Sequence, residues 1–150
     1  MKRFQQAALS IFILLAIVFV RPVSLADQTA KGFAIHFLDV GQADAAVILC
    51  DGKVLMIDGG NRADSGLVFT YLKDTLNVSH IDIMVSTHPH EDHVGGLSGA
   101  LGACSVGEVF SPVLEYDSEP FNDFLRQVKR QGKSLHVPKA GDTYPLGSAT

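Results

Sequence analysis

The stretch STHPHEDHVGG, Ser86 to Gly96, limits what this chain can become more than any other segment. It sets three histidines, a glutamate and an aspartate between an apolar run, Ile81–Val85, and a pair of glycines. An apolar run of that length, rich in β-branched residues, reads as a buried strand. The fold must therefore bring a cluster of ligand-type side chains to the end of a central strand.

The spacing HxHxDH, formed by His88, His90, Asp92 and His93, carries its own chemistry. Side chains at i and i+2 of an extended segment leave on the same side, so His88 and His90 can present imidazole to one cation. Pro89 between them biases His88 toward extended backbone. Asp92 and His93 project differently and can address a second cation close by. A mixed nitrogen and oxygen set suits zinc, or manganese and iron as the carboxylate share grows. Two such ions can clamp a hydroxide, which points to metal-assisted hydrolysis. A lone histidine is more often structural, but four ligand-type residues within six positions are hard to explain as a solvated loop.

The rest of the chain is long enough to bury a core around such a site. Its 150 residues are 47% hydrophobic and 19% charged, which describes a globular domain rather than a disordered chain. The N-terminus reads differently. Lys2 and Arg3 precede an apolar run from Ala7 to Val20, Arg21-Pro22 closes it, and Ser24-Leu25-Ala26 offers small residues at the −3 and −1 positions of a cleavage site. The run is nearer the roughly 7 to 15 residues of a signal h-region than the roughly 20 that span a bilayer. Residues 1–26 are therefore expected to be a secretory signal peptide, with a retained membrane anchor as the alternative, and the product to be secreted or extracytoplasmic.

Removal of that segment takes away three cations and no acid, moving the formal charge from −4 to −7. Nucleic-acid binders are more often basic, because Lys and Arg neutralise phosphates, so a nucleic-acid partner stands against this charge. Bound divalent metals would offset the deficit locally. Outside the cytoplasm Cys50 and Cys104 can pair, or stay as two buried free thiols.

Residues 33–150 show no repeat or linker and read as one domain. Phe33–Val40 is strand-like and ends at Gly41, while Ala45–Cys50 meets Val54–Ile57 across Asp51-Gly52-Lys53, a hairpin signal. Asp58-Gly59-Gly60-Asn61 is loop. Leu67, Val68, Tyr71, Leu72 and Leu76 then recur at helical spacing, with Asp64 or Ser65 as N-cap. Val94–Ala103 can open a second helix, but Gly95, Gly96, Gly99 and Gly102 make it weak on propensity, so close packing must hold it. Val109-Phe110 reads as a short strand. A third helix spans about Glu119 to Gln131: Pro120 suits its first turn, Phe121, Phe124, Leu125 and Val128 form a stripe, and Gly132 stops it. Its Arg126, Lys129 and Arg130, with Lys133 beyond, read as a solvated face near a helix C-terminus.

The segments STHPHEDHVGG and LMIDGG, in this order, resemble the metallo-β-lactamase superfamily, and HFLDVGQADAAVI resembles the opening strand of its ComEC-like competence-protein branch. The resemblance covers Phe33 to about Thr150. It implies an α/β fold, the αββα sandwich, of which this chain would be the N-terminal part: a mixed sheet with flanking helices, truncated at its C-terminal side. It implies two metal ions, zinc in the first instance, with His88 and His90 on the first, Asp92 and His93 on the second, and Asp92 also placed for proton transfer. Asp58 would orient the metal loop from behind. Asp39, Gln42 and Asp44, on the turn between the first two strands, would stand behind the metal ligands or line the substrate loop. Ala43 stands where the branch usually has glycine, so that turn can differ.

The family's remaining ligands come from its second half and are not assigned in this chain. His136 reads as an ordinary strand residue and Asp142 as a turn residue. Glu91 reads as solvent-facing, and His36 and His80 as packing and surface residues. The resemblance implies hydrolysis of a small-molecule or polymeric phosphodiester. A non-catalytic remnant or metal-binding module is the alternative, and the DVGQ segment points away from β-lactam hydrolysis. The isolated chain is expected to be poorly stable and nearly inactive, since half a sandwich leaves an apolar sheet face uncovered.

Overall fold

A computed structural model describes residues 32–150; the expected signal segment lies outside the described residues. The strands are β1 Phe33–Phe37, β2 Ala46–Cys50, β3 Lys53–Ile57, β4 His80–Val85, β5 Ser105–Phe110 and β6 Leu135–His136. They form one sheet in the order β1-β2-β3-β4-β5-β6. The first three are antiparallel neighbours, with Ile35 opposite Ile48 and Cys50 opposite Lys53. From β3 onward the pairings are parallel. Each parallel step carries a helical connection: α1 Ser65–Thr70, then α2 Glu91–Val94 with α3 Leu97–Ala103, then α4 Glu119–Arg130. This is the mixed sheet with flanking helices that the resemblance implied.

The hairpin is where its sequence put it. Asp51 and Gly52 take φ of 49° and 78°, the left-handed pair that a two-residue turn between right-twisting strands requires. In α4, Ser118 Oγ accepts the Phe121 N–H at 3.3 Å, Phe121, Phe124 and Val128 are buried, and Gly132 ends the helix at φ 72°. Burial of these three side chains contributes about 1.5–3 kcal/mol each. Gln131, just past the helix, accepts the Val106 N–H at 2.8 Å and donates to the Leu101 and Cys104 carbonyls at 2.9 Å, fixing α4 to the α3–β5 corner. The basic residues Arg126, Lys129, Arg130 and Lys133 are exposed, and Arg126 pairs with Asp123 on its own helix.

Several boundaries differ from expectation. β1 stops at Phe37, β5 is six residues rather than two, and the first helix is capped earlier: the Asp64 carboxylate accepts the Asn61 N–H at 2.8 Å and opens a 3-10 turn, Arg62–Asp64. α1 continues into a π turn, Tyr71–Thr75. The helix expected over Val94–Ala103 is two helices, and the first of them begins inside the histidine segment at Glu91.

Close packing does hold α3, as its glycines demanded. A Cβ on Gly96 would overlap the Gly59 carbonyl oxygen, and one on Gly99 the Ser65 carbonyl oxygen, whereas Gly102 has nothing nearer than Phe69 at 3.8 Å. Backbone contact at these positions lets α1, α3 and the Gly59-Gly60 loop approach closely.

The two faces of the sheet are covered unequally. Val47, Val54, Met56, Met84 and Val109 face the helices and join Val68, Leu97, Phe121 and Phe124 in the main core. The alternate residues Ile48, Leu55 and Ile57 point the other way, where Leu146 and Ala149 cover only part of the surface. Phe33, Ile35 and Phe37 continue that face and are exposed, Phe37 to 82%. An open apolar groove of about 700 Å³ runs along it. Cys50 lies in this smaller cluster and Cys104 in the main core, and both are buried free thiols, so the two do not pair.

Candidate metal centre

The carboxyl-end edge of β3 and β4 builds the site. Asp58 directly follows β3, is 2% exposed, and sits at φ 56°, a left-handed conformation unusual for a residue with a Cβ. Its N–H donates to the Val85 carbonyl at 2.9 Å, so the turn is bonded to the end of β4. Its carboxylate accepts three bonds: from Thr87 N–H at 2.8 Å, Thr87 Oγ1 at 2.6 Å and His93 Nδ1 at 2.8 Å.

Those bonds decide which nitrogens face outward. A carboxylate only accepts, so Nδ1 of His93 carries the proton and Nε2 of the neutral ring keeps its lone pair. The Thr87 hydroxyl donates to Asp58, leaving its lone pairs toward His88 Nδ1 at 3.3 Å. Donation from that nitrogen would likewise free Nε2 of His88. Behind both, Ser86 is buried, donates its N–H to the Phe110 carbonyl at 2.9 Å and its Oγ–H to the His88 carbonyl at 3.0 Å.

The segment is not one extended loop. His90 is extended at φ −72° and ψ 156°, and its carbonyl accepts the N–H groups of His93 and Val94, so Asp92 and His93 lie in the first turn of α2. That turn brings one ligand atom each of His88, Asp92 and His93 within 4.8 Å of one another. The His88 ring lies 3.6 Å from the His93 ring, nearer than the 4.8 Å to the His90 ring. His90 is exposed and its outer neighbour is Tyr116 at 5.9 Å.

The donor set fits a divalent cation. Asp92 Oδ2 stands 3.6 Å from His93 Nε2. Donors at ~2.1 Å from a tetrahedral zinc stand ~3.4 Å apart, so one ion can satisfy both. Two imidazoles and a carboxylate converge, the mixed nitrogen and oxygen donor types that a divalent metal takes.

The other expected residues divide. Asp44 Oδ2 reaches to 3.8 Å from His93 Nε2. Asp39 instead turns onto the Gly41 N–H of its own turn at 3.4 Å, and Gln42 is exposed. Glu91 is exposed. His36 bonds Tyr71 OH through Nδ1 at 3.0 Å, and His80 bonds Ser105 Oγ at 2.8 Å on the surface. His136 is an exposed β6 residue against Phe110, and Asp142 accepts the Lys139 N–H at 2.8 Å in a turn. Thr87 and Tyr116 were not singled out from the sequence. Thr87 had one readable signal, a hydroxyl residue beside the first histidine just after a buried strand.

A family model described as the metallo-beta-lactamase superfamily matches residues 38–147. Over 86 residues the chain is 30% identical to the Ribonuclease Z of Trichodesmium erythraeum (strain IMS101), covering 53% of this chain and 27% of that protein. Among solved structures it is similar to a metallo-beta-lactamase from Pontibacter korlensis, at 19% identity and TM-score 0.41 over 77% of this chain and 51% of that one. A metallo-beta-lactamase from Hirschia baltica aligns at 16% identity and TM-score 0.39 over 75% and 53%. The chain thus spans 27% of the curated relative and about half of each solved chain.

Proposed function

Because this chain belongs to the metallo-beta-lactamase superfamily, whose members are metal-dependent hydrolases, we propose that it is an exported hydrolase of phosphodiesters from the ComEC-like branch. The observation that carries the hydrolase reading is the convergence of His88, Asp92 and His93 on one point, with His93 oriented by Asp58. The Ribonuclease Z relative supports a phosphodiester substrate, and HFLDVGQADAAVI supports the branch. The Lys2–Ala26 pattern supports export.

In this reading His88, His90, Asp92 and His93 hold the cations, zinc first and manganese or iron as alternatives. When bound, the ions supply a hydroxide near neutral pH and stabilise charge on the attacking and leaving oxygens. Asp92 is the proton acceptor, with its carboxylate 45% exposed at the mouth of the site where substrate and water can reach it. Asp58 and Thr87 hold the imidazoles in one tautomer and direction. The substrate is a nuclease target or a cell-envelope phosphodiester.

A second reading, a metal-binding module or remnant without turnover, is favoured by the open apolar face at Phe33, Ile35 and Phe37. The test is a zinc-loaded assay of the chain against bis(p-nitrophenyl) phosphate, single-stranded RNA and DNA, and a chromogenic β-lactam. Phosphodiester turnover that Asp92→Ala lowers at least about 100-fold supports the hydrolase. Zinc binding with no turnover supports the module. Turnover of the β-lactam alone contradicts the substrate proposed.

A further inference from the structure

We propose that Asp44, from the turn between β1 and β2, is a direct ligand of the metal centre. The proposal rests on the reading of His88, Asp92 and His93 as metal ligands and adds a fourth donor from a distant part of the sequence.

The backbone of Asp44 is fixed by the site itself. Its N–H donates to the Asp92 carbonyl at 3.2 Å, and its carbonyl accepts the Gly60 N–H at 2.8 Å. The Gly60 carbonyl in turn accepts the Gly96 N–H at 3.0 Å. The turn, the glycine loop after β3 and the α2–α3 corner are therefore joined through main-chain bonds around Asp44. The Asp44 side chain is exposed, but its backbone is held at the site.

The side chain then faces a nitrogen that cannot turn away. Asp58 holds His93 through Nδ1, which points Nε2 at two carboxylates, Asp92 at 3.6 Å and Asp44 at 3.8 Å. A divalent ion placed between them would draw on this nitrogen and both carboxylates as donors. The Asp92 separation fits the ~3.4 Å donor spacing around tetrahedral zinc; Asp44 lies outside the tight grouping of His88, Asp92 and His93, but its side chain is 76% exposed and free to swing the last few tenths of an ångström onto the ion. Asp39, the other aspartate of the turn, instead accepts the Gly41 N–H with its carboxylate and pairs with no histidine among the described residues. The turn thus offers a ligand and its own control. Asp44 raises the oxygen share of the centre, which shifts its preference from zinc toward manganese or iron.

The test is cobalt(II) titration of the full chain, read from the visible absorption of the bound ion, for the parent protein, Asp44→Asn and Asp39→Asn. Asparagine keeps the backbone bonds, and circular dichroism with thermal melting reports whether each variant folds. The expected result is cobalt affinity at least about 10-fold weaker and an altered absorption band in Asp44→Asn, with Asp39→Asn unchanged. Equal affinity in the parent and Asp44→Asn overturns the ligand role and leaves the metal centre standing. Equal weakening in both variants overturns it as well, since that is the effect of net charge alone. A folded parent that binds no cobalt removes the centre and this ligand together.

Discussion

His93 Nδ1 donates to Asp58 Oδ2 across 2.8 Å, joining a residue that ends β3 to one in the first turn of α2. This bond converts two elements distant in sequence into one oriented nitrogen. Asp58 also receives both donors of Thr87, so a single buried carboxylate with a left-handed backbone organises the site from behind.

Asp58→Asn should therefore be more damaging than its small size suggests. One amide oxygen cannot accept all three donors, and the new NH2 adds a donor where only acceptors fit. Metal affinity is expected to fall about 10–100-fold, and unfolding free energy by about 1–3 kcal/mol. Zinc titration and urea denaturation measure the two effects.

Three glycines of the α2–α3 region make opposite predictions. Gly96→Ala and Gly99→Ala drive a Cβ into the backbone carbonyls of Gly59 and Ser65, neither of which can swing aside. Each is expected to cost about 3 kcal/mol. Gly102→Ala makes only an ordinary contact with the Phe69 ring at 3.8 Å on a helix and should stabilise by about 0.5–1 kcal/mol. Thermal melts of the three variants show whether the signs separate.

Asp82 sets a pH dependence away from the site. Burial opposes its ionisation, but the Val54 N–H and the Lys53 ammonium, each at 2.9 Å, outweigh burial and hold the carboxyl below its ordinary value. A carboxyl depressed in the folded state stabilises above its unfolded pKa and loses that contribution as pH falls through the folded one. The stability difference between the parent and Asp82→Asn should thus be full at neutral pH and shrink below about pH 4. A difference that grows on acidification would contradict the assignment.

The two cysteines should react as free thiols. Burial pushes the Cys104 thiol up, with Lys73 offsetting part of the rise, and Cys104 Sγ–H donates to the Val78 carbonyl at 3.3 Å. The folded protein is expected to react slowly with a thiol reagent and to yield two thiols on unfolding in denaturant. Recovery of none, under non-reducing conditions, would show a disulfide.

Local chemistry was legible wherever one residue decides a conformation. Asp51-Gly52 specified a turn, Gly132 a stop, and the HxHxDH spacing a ligand cluster. The glycines of α3 even announced that backbone packing must replace propensity. What sequence reading missed depends on tertiary context: the π turn at Tyr71–Thr75, the length of β5 within a parallel sheet, and the helix that claims Asp92 and His93. Periodicity could not show that helix, because four residues are too few to carry a repeat. Thr87 and Asp44 acquire their positions only when β3, β4 and the first turn meet at one sheet edge.

The apolar face carries a physical consequence of its own. Phe33, Ile35 and Phe37 are exposed in a row on the edge strand β1, a surface that invites association. Phe37→Ser should raise solubility of the chain with little loss of stability, since the side chain buries almost nothing. Light scattering at matched concentrations gives the comparison.

The proposed divalent metal centre rests on Asp58-oriented His93 together with His88 and Asp92. Its most direct measurement is metal content of the folded chain after zinc loading and desalting, for the parent and His93→Ala. At least one zinc per parent chain is expected, with loss of that zinc in a His93→Ala protein that still folds. A folded parent without zinc, or a His93→Ala variant that retains it in full, would contradict the claim.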